Sequence, residues 1–190
     1  APWLPTTHNF LYEGYGDQMD DLGPNLDGAR NGVVVPAYMD VESVADPRNE
    51  ASKTITGVEP GAGVTAMGKK LLEDYDNLSD WTLTTSSTGA MLSQMDQAIA
   101  NGEDFLTTGW APHWMFERYD LKFIEDPMET MGTTEQVVTF ARMGLKEDMP
   151  EVYKVLDNFY WTIEDMQAVM MELQDVDPEI AARNWIDANP

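Results

Sequence analysis

The chain contains no cysteine, which removes disulfides, thiolate metal sites and cysteine nucleophiles from consideration. Basic residues are scarce: 11 Lys and Arg stand against 34 Asp and Glu, a formal net charge of −23. A surface so negative repels nucleic-acid phosphates and anionic lipid, so no nucleic-acid partner is expected. No run of 18 apolar residues occurs, so these residues encode no membrane-spanning helix. The opening Ala1-Pro2-Trp3-Leu4-Pro5 has neither the basic nor the apolar region of a secretory leader. Histidine is limited to His8 and His113, which with the lack of cysteine leaves a structural zinc site without ligands. Neither a metal nor a cofactor is called for. What is present is 43% hydrophobic and 10% aromatic content in 190 residues, enough for a real core in one large domain or two small lobes.

Local patterning orders the chain. Residues 1–31 mix Gly, Pro and Asp with scattered aromatics and read as loop and turn. Residues 32–36 form a β-branched run stopped by Pro36, and an acidic stretch follows through Asp46 and Pro47. Residues 54–58 read as a strand that empties into Pro60-Gly61-Ala62-Gly63, and 65–75 place Met67, Leu71, Leu72 and Tyr75 at helical spacing. The pattern repeats: 81–84 as a strand, Ser86-Ser87-Thr88 as a cap, Met91, Leu92, Met95 and Ile99 as a helical face ending at Asn101-Gly102, then 105–110 as a strand. This β–α–β–α–β alternation predicts a parallel sheet flanked by helices. From Thr134 onward the reading is wholly helical, over 135–143, 151–158, 163–173 and 178–188.

Three segments concentrate the unusual residues: Trp3-Leu4-Pro5-Thr6-Thr7-His8, Glu59-Pro60-Gly61-Ala62-Gly63-Val64 and Gly109-Trp110-Ala111-Pro112-His113-Trp114-Met115-Phe116. Each adjoins an expected strand end, where open α/β sheets bind ligands. A lone loop tryptophan is ordinarily a packing residue, and a glycine turn is ordinarily structural. Together they have a shared chemistry. Tryptophan faces hold a quaternary ammonium that can donate no hydrogen bond, each desolvated face contributing about 2 kcal/mol. A glycine turn opening a helix presents backbone N–H groups to a carboxylate. A zwitterion suits both ends. The hydrolytic alternative has only the Ser/Thr-rich 84–88 stretch, with no carboxylate behind His8 or His113 at a recognisable spacing. The chain is therefore read as a binder and not as an enzyme.

These segments, followed by Tyr119-Asp120-Leu121-Lys122, Glu125-Asp126-Pro127, Gly144-Leu145-Lys146-Glu147-Asp148, Trp161 and Trp185-Ile186, resemble the glycine betaine/proline betaine-binding proteins of ABC importers. The resemblance implies an α/β, two-lobed, type II periplasmic-binding-protein-like fold with parallel-type sheets flanked by helices. Its first lobe would hold 1–31 and 115–190, and its second 32–114. It implies cage walls at Trp3 and Trp110, carboxylate-binding amides at Gly63 and Val64, and a carboxylate donor at His8, with His113 a second candidate. Trp81, Trp114, Trp161 and Trp185 match no contact position and are expected in the core.

The implied ligand is glycine betaine, proline betaine or a choline-like molecule, with betaines favoured because choline would leave the two amides unpaired. The implied partners are the membrane subunits of an ABC transporter, and the implied location is periplasmic or otherwise extracytoplasmic. A ligand-sensing or transporter-fused module would carry the same residues. Members of the family have a further amino-terminal segment with another cage tryptophan. One lobe is therefore expected to be incomplete, leaving Val137, Phe140, Val155, Leu156, Phe159 and Met170 to be covered in a homo-oligomer or by residues outside this chain.

Overall fold

The computed structural model describes residues 1–46 and 50–189; Pro47, the end of the expected acidic stretch, lies outside them. In chain order the elements are β1 (Trp3–Leu4), α1 (Asn9–Tyr15), β2 (Met19–Pro36), β3 (Thr54–Gly57), α2 (Gly63–Asp74), β4 (Thr82–Thr85), α3 (Thr88–Asn101) and β5 (Leu106–Ala111). They continue with α4 (Met115–Arg118), β6 (Leu121–Phe123), β7 (Glu135–Arg142), α5 (Leu145–Asp148), α6 (Pro150–Asn158), α7 (Ile163–Glu172) and α8 (Pro178–Ala188). The chain divides into two compact units: Ala1–Ala29 with Ala111–Arg118 and Thr134–Pro190, and Arg30–Trp110 with Tyr119–Thr133.

The second unit follows the repeating pattern of its sequence. Its strands are ordered β6-β2-β5-β3-β4, with β3 parallel to both β4 and β5 and β6 antiparallel to β2. The Val33-Val34-Val35 run is buried, as a central strand requires. Helix α2 turns Leu71 fully inward and approaches the sheet so closely that a Cβ on Gly68 would lie 2.7 Å from Thr108 Cγ2. Ser87 caps α3, its hydroxyl accepting from Ala90 N–H, and Gly102 ends the helix in the left-handed region at φ 67°. Much of this core is thioether: Met39, Met91, Met95 and Met131 are buried, as is Met115 in the first unit. Met39 Sδ accepts the Phe105 N–H at 3.4 Å, an unbranched side chain filling an irregular gap.

Residues 119–133, expected in the first lobe, belong to this second unit. The cause is pairing: Leu121, Lys122 and Phe123 lie opposite Pro36, Val35 and Val34. Tyr75 at the end of α2 also donates to Asp126 Oδ1 at 2.6 Å and accepts the Met128 N–H. Burial and the Asp126 hydrogen bond push Tyr75 up to about 12, so it remains a donor.

The first unit corrects two expectations. Residues 1–31 are not loop, for they contain β1, α1 and most of an 18-residue strand. Residues 135–143 are not helical, because β7 occupies Glu135–Arg142 and lies between β1 and β2. Both pairings are antiparallel, so the parallel pairing expected from the sequence is confined to the second unit. Local preference agrees in retrospect, since Val137, Val138 and Thr139 are β-branched. Leu26, Ala29 and Val137 form one core cluster here, with Trp3, Trp161, Ile163 and Met166 packed half-buried around it.

Three of the four tryptophans expected in the core are at its margin. Trp161 and Trp185 are half-buried, and their rings meet each other and Phe159 at 5.2–5.8 Å between centroids. Trp114 is likewise half-buried, with the Arg118 guanidinium 5.8 Å from its ring centre, whereas Trp81 is buried as expected. The apolar residues expected to lack cover divide. Val137 is buried within the sheet and Phe140 meets the Tyr12 ring at 5.7 Å. Phe159, Leu156 and Met170 are half-buried, and Val155 on α6 is 67% exposed.

Candidate functional site

The first cluster spans β1 and the loop that leads from it to α1. Trp3 N–H donates to His8 Nδ1 at 2.8 Å, and His8 N–H returns a bond to the Trp3 carbonyl at 2.9 Å. With Nδ1 accepting, the ring proton belongs on Nε2, which makes His8 a neutral donor. Burial lowers the His8 pKa from its ordinary value of 6.5, opposed by the Glu135 charge and aided by the amino terminus. Trp3 packs on the Leu26, Ala29 and Val137 core and is only half-buried there. Sequence reading missed Glu135, a 1% exposed carboxylate that accepts from Thr6 N–H and Thr7 N–H at 2.8 Å each and from the Thr7 hydroxyl.

The second cluster lies in the other unit. Strands β3 and β5 run parallel, Ile55 opposite Leu106 and Thr56 opposite Thr107, so their carboxyl ends share one edge. Beyond β3, α2 begins at Gly63 with Ala62 as an N-cap that offers no side-chain acceptor. The hydrogen-bond ladder starts with Thr65 and Ala66 N–H on the Ala62 carbonyl, leaving the Gly63 and Val64 amides ahead of it at the positive end of the dipole. Half-buried Trp110 stands near the end of β5. Glu59 anchors the loop before α2, accepting from Thr88 N–H and Thr88 Oγ1 at 2.9 Å each; the Thr88 backbone bond leads in holding its carboxyl below the usual carboxylate range.

His113 occupies a different environment from His8. It is 7% exposed, its Nδ1 accepts the Met115 N–H at 3.1 Å at the entry to α4, and its ring centre is 5.4 Å from that of Trp114. Desolvation pushes its pKa down to about 4, so it is neutral in the folded chain at pH 7. The unfolded chain takes up the proton near the ordinary value of 6.5. The stability contributed by neutral His113 is thus complete above pH 6.5 and is lost as pH falls through about 4. His113→Asn keeps an acceptor for the Met115 N–H without titrating. Urea midpoints at about pH 7.5 and 4.5 should drop further for the parent chain than for this variant; equal drops would mean that His113 does not titrate differently on unfolding.

Thus Trp3 and His8 are bonded together in the first unit, His113 caps a helix in that unit, and Gly63, Val64 and Trp110 share a sheet edge in the second. Among the described residues, no group of three or more His, Cys, Asp or Glu is placed to hold a metal. Among the described residues, no helix is long and apolar enough to cross a membrane.

Comparison with known proteins bears on this arrangement. The chain is 48% identical over 147 residues to the glycine betaine/carnitine transport binding protein GbuC of Listeria monocytogenes serotype 1/2a (strain 10403S), a match that takes in 76% of this chain and 49% of that protein. The chain therefore spans about half the length of that relative. Lactococcal OpuAC, solved closed and complexed with glycine betaine, is 54% identical with a TM-score of 0.91, over 99% of this chain and 74% of that one. The glycine/betaine/L-proline-binding protein ProX of Borrelia burgdorferi is 32% identical with a TM-score of 0.86, over 100% and 73%. Both place the α/β architecture among type II periplasmic binding proteins. Residues 1–188 match the family described as the substrate binding domain of the ABC-type glycine betaine transport system, and the chain belongs to that family.

Proposed function

We propose that the chain captures glycine betaine or a closely related quaternary-ammonium zwitterion for an ABC importer. The observation that carries this reading is the reciprocal bonding between the Trp3 backbone and His8, which sets a neutral N–H donor on the loop that follows the tryptophan's strand. An indole and such a donor match the two chemistries a betaine presents, a cation with no proton to donate and a carboxylate that accepts. In the first unit Trp3 is the face offered to an ammonium and His8 Nε2–H the donor offered to a carboxylate; in the second unit Trp110 is the face and the uncapped Gly63 and Val64 amides are the donors. The glycine betaine complex of the lactococcal relative supports the ligand class. Choline offers the amides only a neutral hydroxyl oxygen in place of a carboxylate and is the weaker ligand. His113, buried and engaged with Met115, is the second choice for the carboxylate.

The receiving partner in this reading is the membrane subunits of the transporter, and capture takes place outside the cytoplasm, in the periplasm where there is one. Self-association would cover Val152 and Val155 of α6, 41% and 67% exposed, and light scattering reads it directly.

His8→Ala tests the assignment. Titration calorimetry should show glycine betaine affinity reduced about tenfold, the worth of one hydrogen bond to a charged group, and choline affinity changed by less than about twofold. Equal losses for both ligands would mean that His8 shapes the loop and contacts no anion.

A further inference from the structure

Glu135 opens β7 at a point fixed by the sheet. Trp3 lies opposite Val137 and Leu4 opposite Gln136, so residue 135 stands where β1 gives way to the loop bearing His8. A carboxylate withdrawn from water is tolerated only when donors surround it. Here the Thr6 and Thr7 amides at 2.8 Å and the Thr7 hydroxyl supply them. These donors are the backbone immediately before His8, and the other side of the same loop is closed by the Trp3–His8 pair. The loop tip is thus held from within by a buried anion, whose charge also raises the proton affinity of His8 against the burial that lowers it.

The geometry points to Glu135 as a positioning residue: by pinning the Thr6–Thr7 backbone it holds the His8 Nε2–H in place for a ligand carboxylate, and so favours ligands that have a carboxylate over those that lack one. This rests on the reading of His8 given above. Glu135 touches no ligand itself. Its action through His8 separates it from a residue that merely stabilises the sheet.

The test measures glycine betaine and choline affinities for Glu135→Gln, His8→Ala and the double variant, with circular dichroism to verify folding. Gln keeps an oxygen for the two amides and removes the charge. Glu135→Gln should lower glycine betaine affinity about tenfold and choline affinity by less than about twofold, and should add nothing once His8 is alanine. Equal losses for the two ligands, or a full additional loss in the His8→Ala background, would overturn the inference while leaving His8 as the donor. Unchanged glycine betaine affinity in His8→Ala alone would overturn the reading of His8 and this inference with it. Should Glu135→Gln not fold, Thr7→Ala removes one anchor and leaves both amides on Glu135. It should show the same ligand bias at about threefold, and the same absence of effect without His8; a loss shared equally by both ligands would overturn the inference.

Discussion

Trp110→Ala should weaken glycine betaine binding by about 2 kcal/mol or more, roughly a thirtyfold rise in Kd, while the chain stays folded. A desolvated indole face opposite a trimethylammonium group is worth that much, and alanine supplies no replacement. The position suits the test because Trp110 is half-buried and lies beyond Leu106 and Thr107, the residues through which β5 pairs with β3. Trp3 would make a poorer probe. Its ring packs on Leu26, Ala29 and Val137, so its removal mixes lost affinity with lost stability. Calorimetry on the folded Trp110→Ala chain gives the answer, and an unchanged Kd would return Trp110 to the packing residues.

The largest stability effect is expected from Leu71→Ala. Leu71 is fully buried on α2, and truncation of such a leucine costs about 3 kcal/mol, from lost transfer free energy and the cavity left behind. Urea unfolding should show the midpoint falling with little change in slope. The same variant should bind glycine betaine normally per folded molecule. Leu71 follows Gly63 by about 12 Å along the helix axis, and the uncapped amides depend on the first turn. A weakened affinity alongside the lost stability would show that the amino end of α2 relies on packing farther down the helix.

How far the sequence foretold these features depended on the range of the interactions. In the second unit, strand, glycine turn and helix follow within a few residues, and Ser87, Gly102 and the Met91–Met95 spacing act as signals where they stand. The Gly63–Val64 turn and Trp110 were legible for that reason. The first unit is built by pairing distant segments. Gly23 and Gly28, at φ 85° and 89°, with Pro24 resemble a loop locally. They are accommodated because β2 shifts register against β7 between Asp21 and Pro24, between Pro24 and Leu26, and between Asp27 and Ala29.

The apolar spacing of 135–143 resembled a helix for a related reason. Its hydrophobic pairs serve a strand whose burial is set by β1 and β2, elements more than 100 residues earlier. Tertiary context outweighed local period. Glu135 was invisible on the same ground, since its donors Thr6 and Thr7 are 129 and 128 residues away and an acidic chain offers no reason to single out one glutamate. His8 and Trp3, five residues apart, were visible as a pair. Their mutual bonding needed the structure.

The methionine-rich interior gives the chain a built-in reporter of its own opening. Met128, Met143 and Met149, exposed to 57%, 58% and 49%, should convert to sulfoxides first under mild peroxide. Met39, Met91, Met95, Met115 and Met131 are shielded and should convert only when the surrounding structure separates. A sulfoxide formed at one of those sites is polar and cannot return to an apolar cavity without cost, so each opening event leaves a chemical record that hinders reclosure until a reductase removes the oxygen. Peptide-resolved mass spectrometry over a peroxide time course would read those openings in the order in which they occur.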